Sequence, residues 1–326
     1  MLSLVTWNVD GLCNQHIPLR SAEIAHLILQ DLPHVIMLQE CVPSNQQIFN
    51  QRFLSSGYKC IQNDVLPGYY TLGYCKSPWE VIHSQRTMYT GNAHSLMGRD
   101  ILQFEISNGH QNVLCLCSHL ESCREFSSSR MSQLEQLFHI LYQYQGPVII
   151  GGDLNIRDNE VKTVLANMRT NYVDFDFKDA WIDSGQLKTE QYTWVSPSNS
   201  KIKCRFDRIF FSPKEIQVSS FKLLGTTKLT STGSTPSDHF GISTSFVLPS
   251  PKATVPDLPE RTDDPVDVKE GEEVSVGAKR KADRRRLILR ALEKRSAVVR
   301  TKTSEVGNGE QLSARGAVEV IDLTSD

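Results

Sequence analysis

From Leu2 to about Val247 the chain alternates short β-branched runs with amphipathic segments of helical length, and no long linker interrupts them. That rhythm specifies one α/β domain rather than an all-helical or all-strand fold. Leu2 to Asn8 alternates as a strand does. Arg20 to Leu32 sets Ile24, Leu27 and Ile28 at helical spacing before Pro33 stops the turn, and His34 to Leu38 is an apolar run ending in Gln39-Glu40. Val113 to Ser118 is a further apolar run, followed by a helix with Met131, Leu134, Leu137, Phe138 and Leu141 on one face. Pro147 to Ile150 predicts a strand ending in Gly151-Gly152-Asp153, and Phe206–Phe211 and Phe240–Val247 predict two more, the second entered directly from Ser237-Asp238-His239. Polar residues able to do chemistry therefore stand where strands finish.

With 326 residues, 39% of them apolar, the chain can bury a full core. It has no apolar run of about 18 residues, and Met1-Leu2-Ser3-Leu4 lacks the charged start of a secretory leader, so a soluble, non-secreted monomer without a membrane partner is expected. The eight cysteines are scattered through apolar stretches without a Cys-x-x-Cys pair, which fits reduced, buried thiols.

After Leu248 the composition changes. Prolines cluster, aromatic residues are absent to the C-terminus, and 249–326 is expected to be a disordered tail. The tail is split by charge: 256–273 holds eight acidic against two basic residues, and 279–295 holds nine basic against two acidic. The second segment has the density of a nuclear-import signal or a nucleic-acid clamp, so a nuclear protein with some cytoplasmic population is expected. The last residues, Val320-Ile321-Asp322-Leu323-Thr324-Ser325-Asp326, are similar to a SUMO-interacting motif, in which an apolar β-prone core beside acidic residues adds a strand to a partner sheet.

Four segments carry the chemistry: Thr6-Trp7-Asn8-Val9-Asp10-Gly11, Leu38-Gln39-Glu40, Gly152-Asp153-Leu154-Asn155-Ile156-Arg157-Asp158 and Ser237-Asp238-His239-Phe240-Gly241. Each alone has an ordinary reading as a turn, a solvated strand end or a cap. Together they supply what attack on a phosphodiester needs: a carboxylate to orient water, oxygen ligands for a cation, and donors for the charge that grows on phosphate.

In this order and at strand ends, Asn…Gln-Glu…Gly-Asp-x-Asn…Ser-Asp-His resembles the endonuclease/exonuclease/phosphatase superfamily, which includes DNase I and the abasic-site endonucleases. The resemblance implies an α/β fold with two β-sheets packed as a sandwich and flanked by helices in four layers, the site lying on the rim where strands finish. Ser118-His119-Leu120-Glu121-Ser122, Arg130-Met131-Ser132-Gln133-Leu134, Tyr192-Thr193-Trp194 and Arg205-Phe206-Asp207-Arg208-Ile209-Phe210-Phe211 narrow it to the branch that acts on phosphotyrosyl DNA ends, over residues 1–248. That branch hydrolyses the 5′-phosphotyrosyl bond between DNA and a trapped topoisomerase peptide and leaves a 5′-phosphate.

By this resemblance Glu40 and Asp10 hold Mg²⁺, with Mn²⁺ as the alternative ion. Asp153 positions and activates water, Asn8, Asn155 and His239 surround the phosphate, Asp207 fixes the His239 ring, and Asp238 acts from behind the metal. Asp10, Gly11, Leu12, His119 and Leu120 line the path of a single-stranded 5′ end. Ser122, Arg124, Ile156, Arg157 and Trp194 continue it, the arginine pairing with phosphate and the tryptophan offering a stacking face. The branch's tyrosine-rich groove wall is replaced here by Ser44-Asn45-Gln46-Gln47-Ile48-Phe49, with Phe49 the substitute wall. Two other readings stay open: a related nuclease, deadenylase or phospholipid phosphodiesterase using the same segments, and a non-catalytic adaptor that binds SUMO through the tail.

Overall fold

The computed structural model describes residues 1–61 and 68–248. The basic segment 279–295 and the Val320–Asp326 motif lie outside the described residues. In chain order the elements are β1 (Leu2–Asn8), α1 (Ile17–Asp31), β2 (Val35–Cys41), α2 (Pro43–Ser55), β3 (Tyr58–Ile61), β4 (Tyr70–Lys76), β5 (Glu80–Met88), β6 (Asp100–Ser107), β7 (Asn112–His119) and α3 (Ser127–Gln143). Then follow β8 (Val148–Asp153), α4 (Asp158–Asn171), β9 (Lys178–Asp179), α5 (Ala180–Asp183), β10 (Trp194–Val195), β11 (Lys203–Cys204), β12 (Asp207–Phe211), β13 (Gln217–Leu224) and β14 (Gly241–Val247).

Two six-stranded mixed sheets form, ordered β13-β14-β1-β2-β4-β3 and β5-β6-β7-β8-β12-β9, with β10 and β11 as a separate small hairpin. Strand alternation explains why the runs are apolar on both faces. Leu2 and Leu4 of β1 meet Phe104, Cys117, Ile149 and Phe211 between the sheets, whereas Val5 and Trp7, of opposite parity, pack under α1 and α2 against Ile24, Ile28, Phe49 and Phe53. Leu114, Leu116 and Ile150 likewise face α3 and α4 through Leu134, Leu137, Phe138 and Val164. Helix, sheet, sheet, helix is the four-layer order expected. Each fully buried side chain of this size contributes about 1.5–3 kcal/mol.

Inside the sandwich a polar tie close to the site helps join the sheets. Gln39 Nε2 donates to Thr6 Oγ1 at 3.0 Å and lies 3.4 Å from Cys117 Sγ, so β1, β2 and β7 are fixed together one residue before Glu40. The eight cysteines are all free thiols; Cys41, Cys75, Cys115 and Cys117 are buried and Cys123 is exposed. No helix among the described residues is long and apolar enough to cross a membrane.

Candidate active site

Register places the site. In the second sheet His119 of β7 pairs with Asp153 of β8, and Asp153 pairs with Asp207 of β12, so three strand ends present these side chains abreast. In the first sheet Asn8 of β1 pairs with Gln39 of β2, which leaves Glu40 just beyond it at a backbone φ of 55°. Asn8 Nδ2 then crosses the seam and donates to Asp153 Oδ2 at 2.9 Å. The amide is held at both ends, because its Oδ1 accepts from the Asp10 N–H at 3.0 Å. Ser237 Oγ donates to the Asn8 carbonyl at 2.8 Å and accepts from the His239 N–H at 3.1 Å, which locks the last segment onto the first.

Asp153 is the centre of the array, 1% exposed. Its Oδ2 also lies 3.2 Å from His119 Nε2 and 3.6 Å from His239 Nε2, and its Oδ1 accepts from the Asn155 N–H at 3.1 Å. Burial alone would raise this carboxyl. The His239 charge, then His119 and the Asn8 amide, outweigh burial and hold it below the usual carboxylate range. His239 Nδ1 donates to Asp207 Oδ2 at 2.8 Å. Burial opposes the His239 charge, but Asp207 and Asp153 raise the imidazole well above its ordinary value and keep it protonated. Asp207 is raised, by burial first and by the neighbouring Asp153 charge.

His119 is the second imidazole on Asp153, and its tautomer follows from its partners. Arg99 NH1 lies 2.7 Å from His119 Nδ1, and a guanidinium only donates, so Nδ1 accepts and Nε2 carries the hydrogen that points to Asp153. Arg99 is 6% exposed, stands 5.0 Å over the Tyr69 ring and lies 3.7 Å from Met97 Sδ. Among the described residues its guanidinium thus meets an imidazole, a ring and a thioether rather than a carboxylate. Glu40, Tyr69, Arg99 and His119 line a common pocket beside Asp153. Tyr69 and Arg99 come from loops that carry no strand-end signal in the sequence, whereas Phe49, expected from sequence as a groove wall, does not line this pocket. That expectation is corrected: Phe49 is wholly buried, stacked on Phe53 beneath the sheet.

The other side of Asp153 is different in kind. Trp194 lies 6.5 Å from the His239 ring and 5.5 Å from Phe206, over which the Arg157 guanidinium stands at 5.9 Å. Trp194 is half-buried, and its Nε1 donates to Asp238 Oδ2 at 2.8 Å, so Asp238 orients the indole directly. Ser122 is half-buried against Met97, and Arg124 is exposed on the loop after β7. Leu12 is 53% exposed on the loop after β1.

Two of the substrate-facing residues expected from sequence are elsewhere. Leu120 and Ile156 are both fully buried in the core under α3 and α4. They alternate in direction with His119 and Arg157, so only their carbonyls reach the site region, the first accepting from Asn155 Nδ2 at 3.2 Å and the second from Arg208 NH2 at 3.1 Å. Asn155 therefore ties the β8–α4 turn to the loop after β7 with its amide nitrogen.

A hard cation would find oxygen donors at Glu40 and Asp10, and the local electrostatics fit one. Burial, followed by the negative charges of Asp238 and Glu40, raises the Asp10 carboxyl to about 7 against the pull of Arg20 at 3.1 Å. Excess negative charge of this kind is what a divalent ion relieves. Gly11 keeps the loop close, since a Cβ there would come within 2.1 Å of the Glu40 carbonyl oxygen. Asp153, Asp207 and His239 also bring one potential ligand atom each within 4.8 Å of one another. Their geometry serves protons rather than a metal, because Asp207 and the charged His239 ring are already bonded to each other.

A rim of Asn, Glu, Asp, His and Asp side chains at the ends of two packed mixed sheets is the design of a phosphoester hydrolase, and the Endonuclease/Exonuclease/phosphatase family model matches residues 5–239. The chain belongs to that family. Within it, tyrosyl-DNA phosphodiesterase 2 from Homo sapiens is 35% identical over 255 residues, covering 74% of this chain and 67% of that protein, and its counterpart from Gallus gallus is 33% identical over 257 residues, covering 75% and 66%. The chain thus spans about two thirds of the length of the curated relatives it matches. The crystal structure of D. rerio TDP2 complexed with single strand DNA product superposes with a TM-score of 0.66 at 28% identity, covering 76% of this chain and 98% of that one.

Proposed function

We propose that this chain is a Mg²⁺-dependent phosphodiesterase that hydrolyses the 5′-phosphotyrosyl bond between DNA and a trapped topoisomerase peptide, leaving a 5′-phosphate. The observation that carries the reading is the asymmetry about Asp153. One flank, Trp194, Phe206 and Arg157, offers ring faces and a phosphate partner, which suits a single strand. The other flank is the Arg99–Tyr69 pocket, which suits an aromatic group beside a negative charge. The relatives, which are tyrosyl-DNA phosphodiesterases, point the same way.

In this reading Asp153 remains ionised and aims the lone pair of a water at phosphorus, accepting its proton as the new P–O bond forms. Its lowered pKa makes it a weak base in solution terms, so its contribution is orientation together with proton acceptance late in the step. His239, charged and steadied by Asp207, and the Asn8 amide meet the charge growing on the phosphate oxygens. A Mg²⁺ ion at Glu40 and Asp10 would supply Lewis-acid neutralisation of phosphate charge. The phenolic leaving oxygen needs little protonation, since a tyrosine hydroxyl has a pKa of about 10. Arg99, permanently charged, answers it electrostatically without giving up a proton. The basic segment 279–295 would carry the chain into the nucleus, and Val320–Asp326 would bind SUMO or SUMO-modified proteins; both rest on sequence pattern.

The test is turnover of a single-stranded 5′-phosphotyrosyl oligonucleotide, comparing wild type with Asp153→Asn and Mg²⁺ with EDTA. Release of a 5′-phosphate that needs both the ion and the carboxylate supports the reading. Folded protein that leaves this substrate intact while cutting abasic DNA or an RNA tail replaces it with the related-nuclease reading, and inactivity on all of them favours the adaptor.

A further inference from the structure

Helix α3 is apolar on its inner face except at two positions three residues apart, Arg130 and Gln133, which are 1% and 0% exposed. Burying an arginine ion pair stabilises a fold no better than well-packed leucines do, so the pair points to geometry rather than stability. Each side chain reaches past the helix to the loop after β7, Arg130 at Cys123 and Gln133 at Glu121, and from there the two diverge, Arg130 onto Glu160 of α4 and Gln133 onto Ala93 in the segment before β6.

Arg130 forks onto Glu160, with Nε at 3.0 Å and NH2 at 2.6 Å, and its NH1 donates to the Cys123 carbonyl. Glu160 also accepts from Ser127 Oγ and, through Oε2 at 2.8 Å, from the Arg157 N–H that opens α4. The Arg130–Glu160 pair therefore fixes the segment that carries Arg157 and the loop that carries Ser122 and Arg124. The first belongs to the strand-facing flank; the loop also meets the other flank, where Ser122 Oγ lies 3.2 Å from Met97 Sδ. Gln133 instead accepts from the Glu121 N–H at 2.9 Å and donates to the Ala93 carbonyl at 3.1 Å and to Glu121 Oε2 at 3.3 Å. Glu121, wholly buried, in turn accepts from Ser95 Oγ at 2.8 Å and from the N–H groups of Leu96 at 2.7 Å and Met97 at 3.0 Å. That loop ends in Arg99, whose own N–H is tied to Ser95 Oγ at 2.7 Å.

We infer that Arg130 and Gln133 are positioning residues that set the two halves of the substrate groove separately: Arg130, through Glu160, the nucleic-acid strand, and Gln133, through Glu121, the aryl leaving group. The assignment of the two flanks rests on the reading proposed above. Neither side chain touches substrate. Lysine at 130 keeps the charge but cannot bond both Glu160 oxygens and the Cys123 carbonyl at once, and glutamine at 121 loses the charge that gathers the two N–H groups.

Two substrates separate the halves: a single-stranded 5′-phosphotyrosyl oligonucleotide, and the p-nitrophenyl ester of thymidine 5′-monophosphate, which has the aryl group but almost no strand. Arg130→Lys is expected to lower kcat/KM on the oligonucleotide about tenfold more than on the ester, chiefly through KM, whereas Glu121→Gln lowers both by the same factor. Affinity for a 5′-phosphorylated single-stranded oligonucleotide, which needs no turnover, is expected to weaken about tenfold in Arg130→Lys and to stay within about twofold in Glu121→Gln. If Arg130→Lys does not fold, Glu160→Gln keeps an acceptor for Arg157 and is expected to show the same selective loss. Equal effects of Arg130→Lys or Glu160→Gln on both substrates, with strand affinity unmoved in folded protein, overturn the inference. Wild type that binds the strand but hydrolyses neither ester nor oligonucleotide overturns the phosphotyrosyl reading instead, and the binding comparison still decides the role of Arg130.

Discussion

Asp207 Oδ2 lies 2.8 Å from His239 Nδ1, joining the first residue of β12 to a residue 32 positions on, just before β14. The bond sets the ring plane, keeps the imidazole charged and turns Nε2 toward the groove. Asp207→Asn removes the charge while preserving shape. It is expected to lower kcat on the phosphotyrosyl oligonucleotide by on the order of a hundredfold or more with little change in KM. A loss below about tenfold would mean that His239 does not depend on Asp207.

Trp194 is held by Asp238 and packs on Phe206, so its free face is available for stacking. Base–aromatic stacking is worth about 1–3 kcal/mol per base, and Trp194→Ala is accordingly expected to raise KM for the oligonucleotide between roughly fivefold and a hundredfold. The mononucleotide ester serves as the internal comparison. Equal losses on both substrates would show that Trp194 supports His239 rather than the strand.

The strand ends were readable because each run is short, apolar and bounded by polar residues, Asn8, Glu40 and Asp153 at the far ends of their strands and His239 before its own, while their roles came from the family resemblance. The relation of those ends to one another was not, since the abreast pairing of His119, Asp153 and Asp207 is a register across three strands. Leu120 and Ile156 were misplaced by adjacency, which ignores that neighbours on extended chain face opposite ways. Tyr69 and Arg99 went unnoticed for another reason. They enter the pocket from connections whose sequence carries no period, and their importance comes from what they meet in space. Phe49 stands four residues before Phe53, a spacing that puts both on the buried face of α2, and the alignment with a groove wall passed over it.

Occupation of Glu40 and Asp10 by a divalent ion can be read without turnover. An ion that binds only the folded state raises stability as RT ln(1 + [L]/Kd), about 2.7 kcal/mol at a hundred times Kd. Mg²⁺ titration is therefore expected to raise Tm in wild type, and Glu40→Gln to abolish most of that rise while leaving the ion-free Tm close to wild type. A Tm that ignores Mg²⁺ in wild type would place the metal elsewhere or nowhere.

Glu160 makes acid stability predictable. Burial would raise its carboxyl, but the Arg130, Ser127 and Arg157 hydrogen bonds leave it below its ordinary value of 4.5. A carboxyl lower in the fold than in the unfolded chain stabilises above its unfolded pKa, and that stability disappears as pH falls through the folded value. The Tm difference between wild type and Glu160→Gln is thus expected to be full at pH 7, to hold down to about 5, and to narrow below the ordinary value. A gap that stays constant into strong acid would show that the charge of Glu160 contributes nothing.

Gly152 sits opposite Ser118 in the β7–β8 pairing, and a Cβ there would come within 1.9 Å of the Ser118 carbonyl oxygen. Backbone cannot yield as a side-chain tip can, so Gly152→Ala must part the two strands. The strain falls one residue before both His119 and Asp153. A cost of about 3 kcal/mol is expected from overpacking, which in a domain of this size lowers Tm by roughly 6–12 °C. Because the same displacement widens the 3.2 Å separation of His119 and Asp153, activity measured well below the new Tm is expected to fall as well, through kcat. Gly151→Ala is the control: its Cβ would come within 2.8 Å of the sulfur of Met37, a flexible side chain that can move aside, so a smaller loss of stability and an active enzyme are expected. Equal damage from the two substitutions would mean that the closeness of β7 and β8 at Gly152 is not what holds His119 against Asp153.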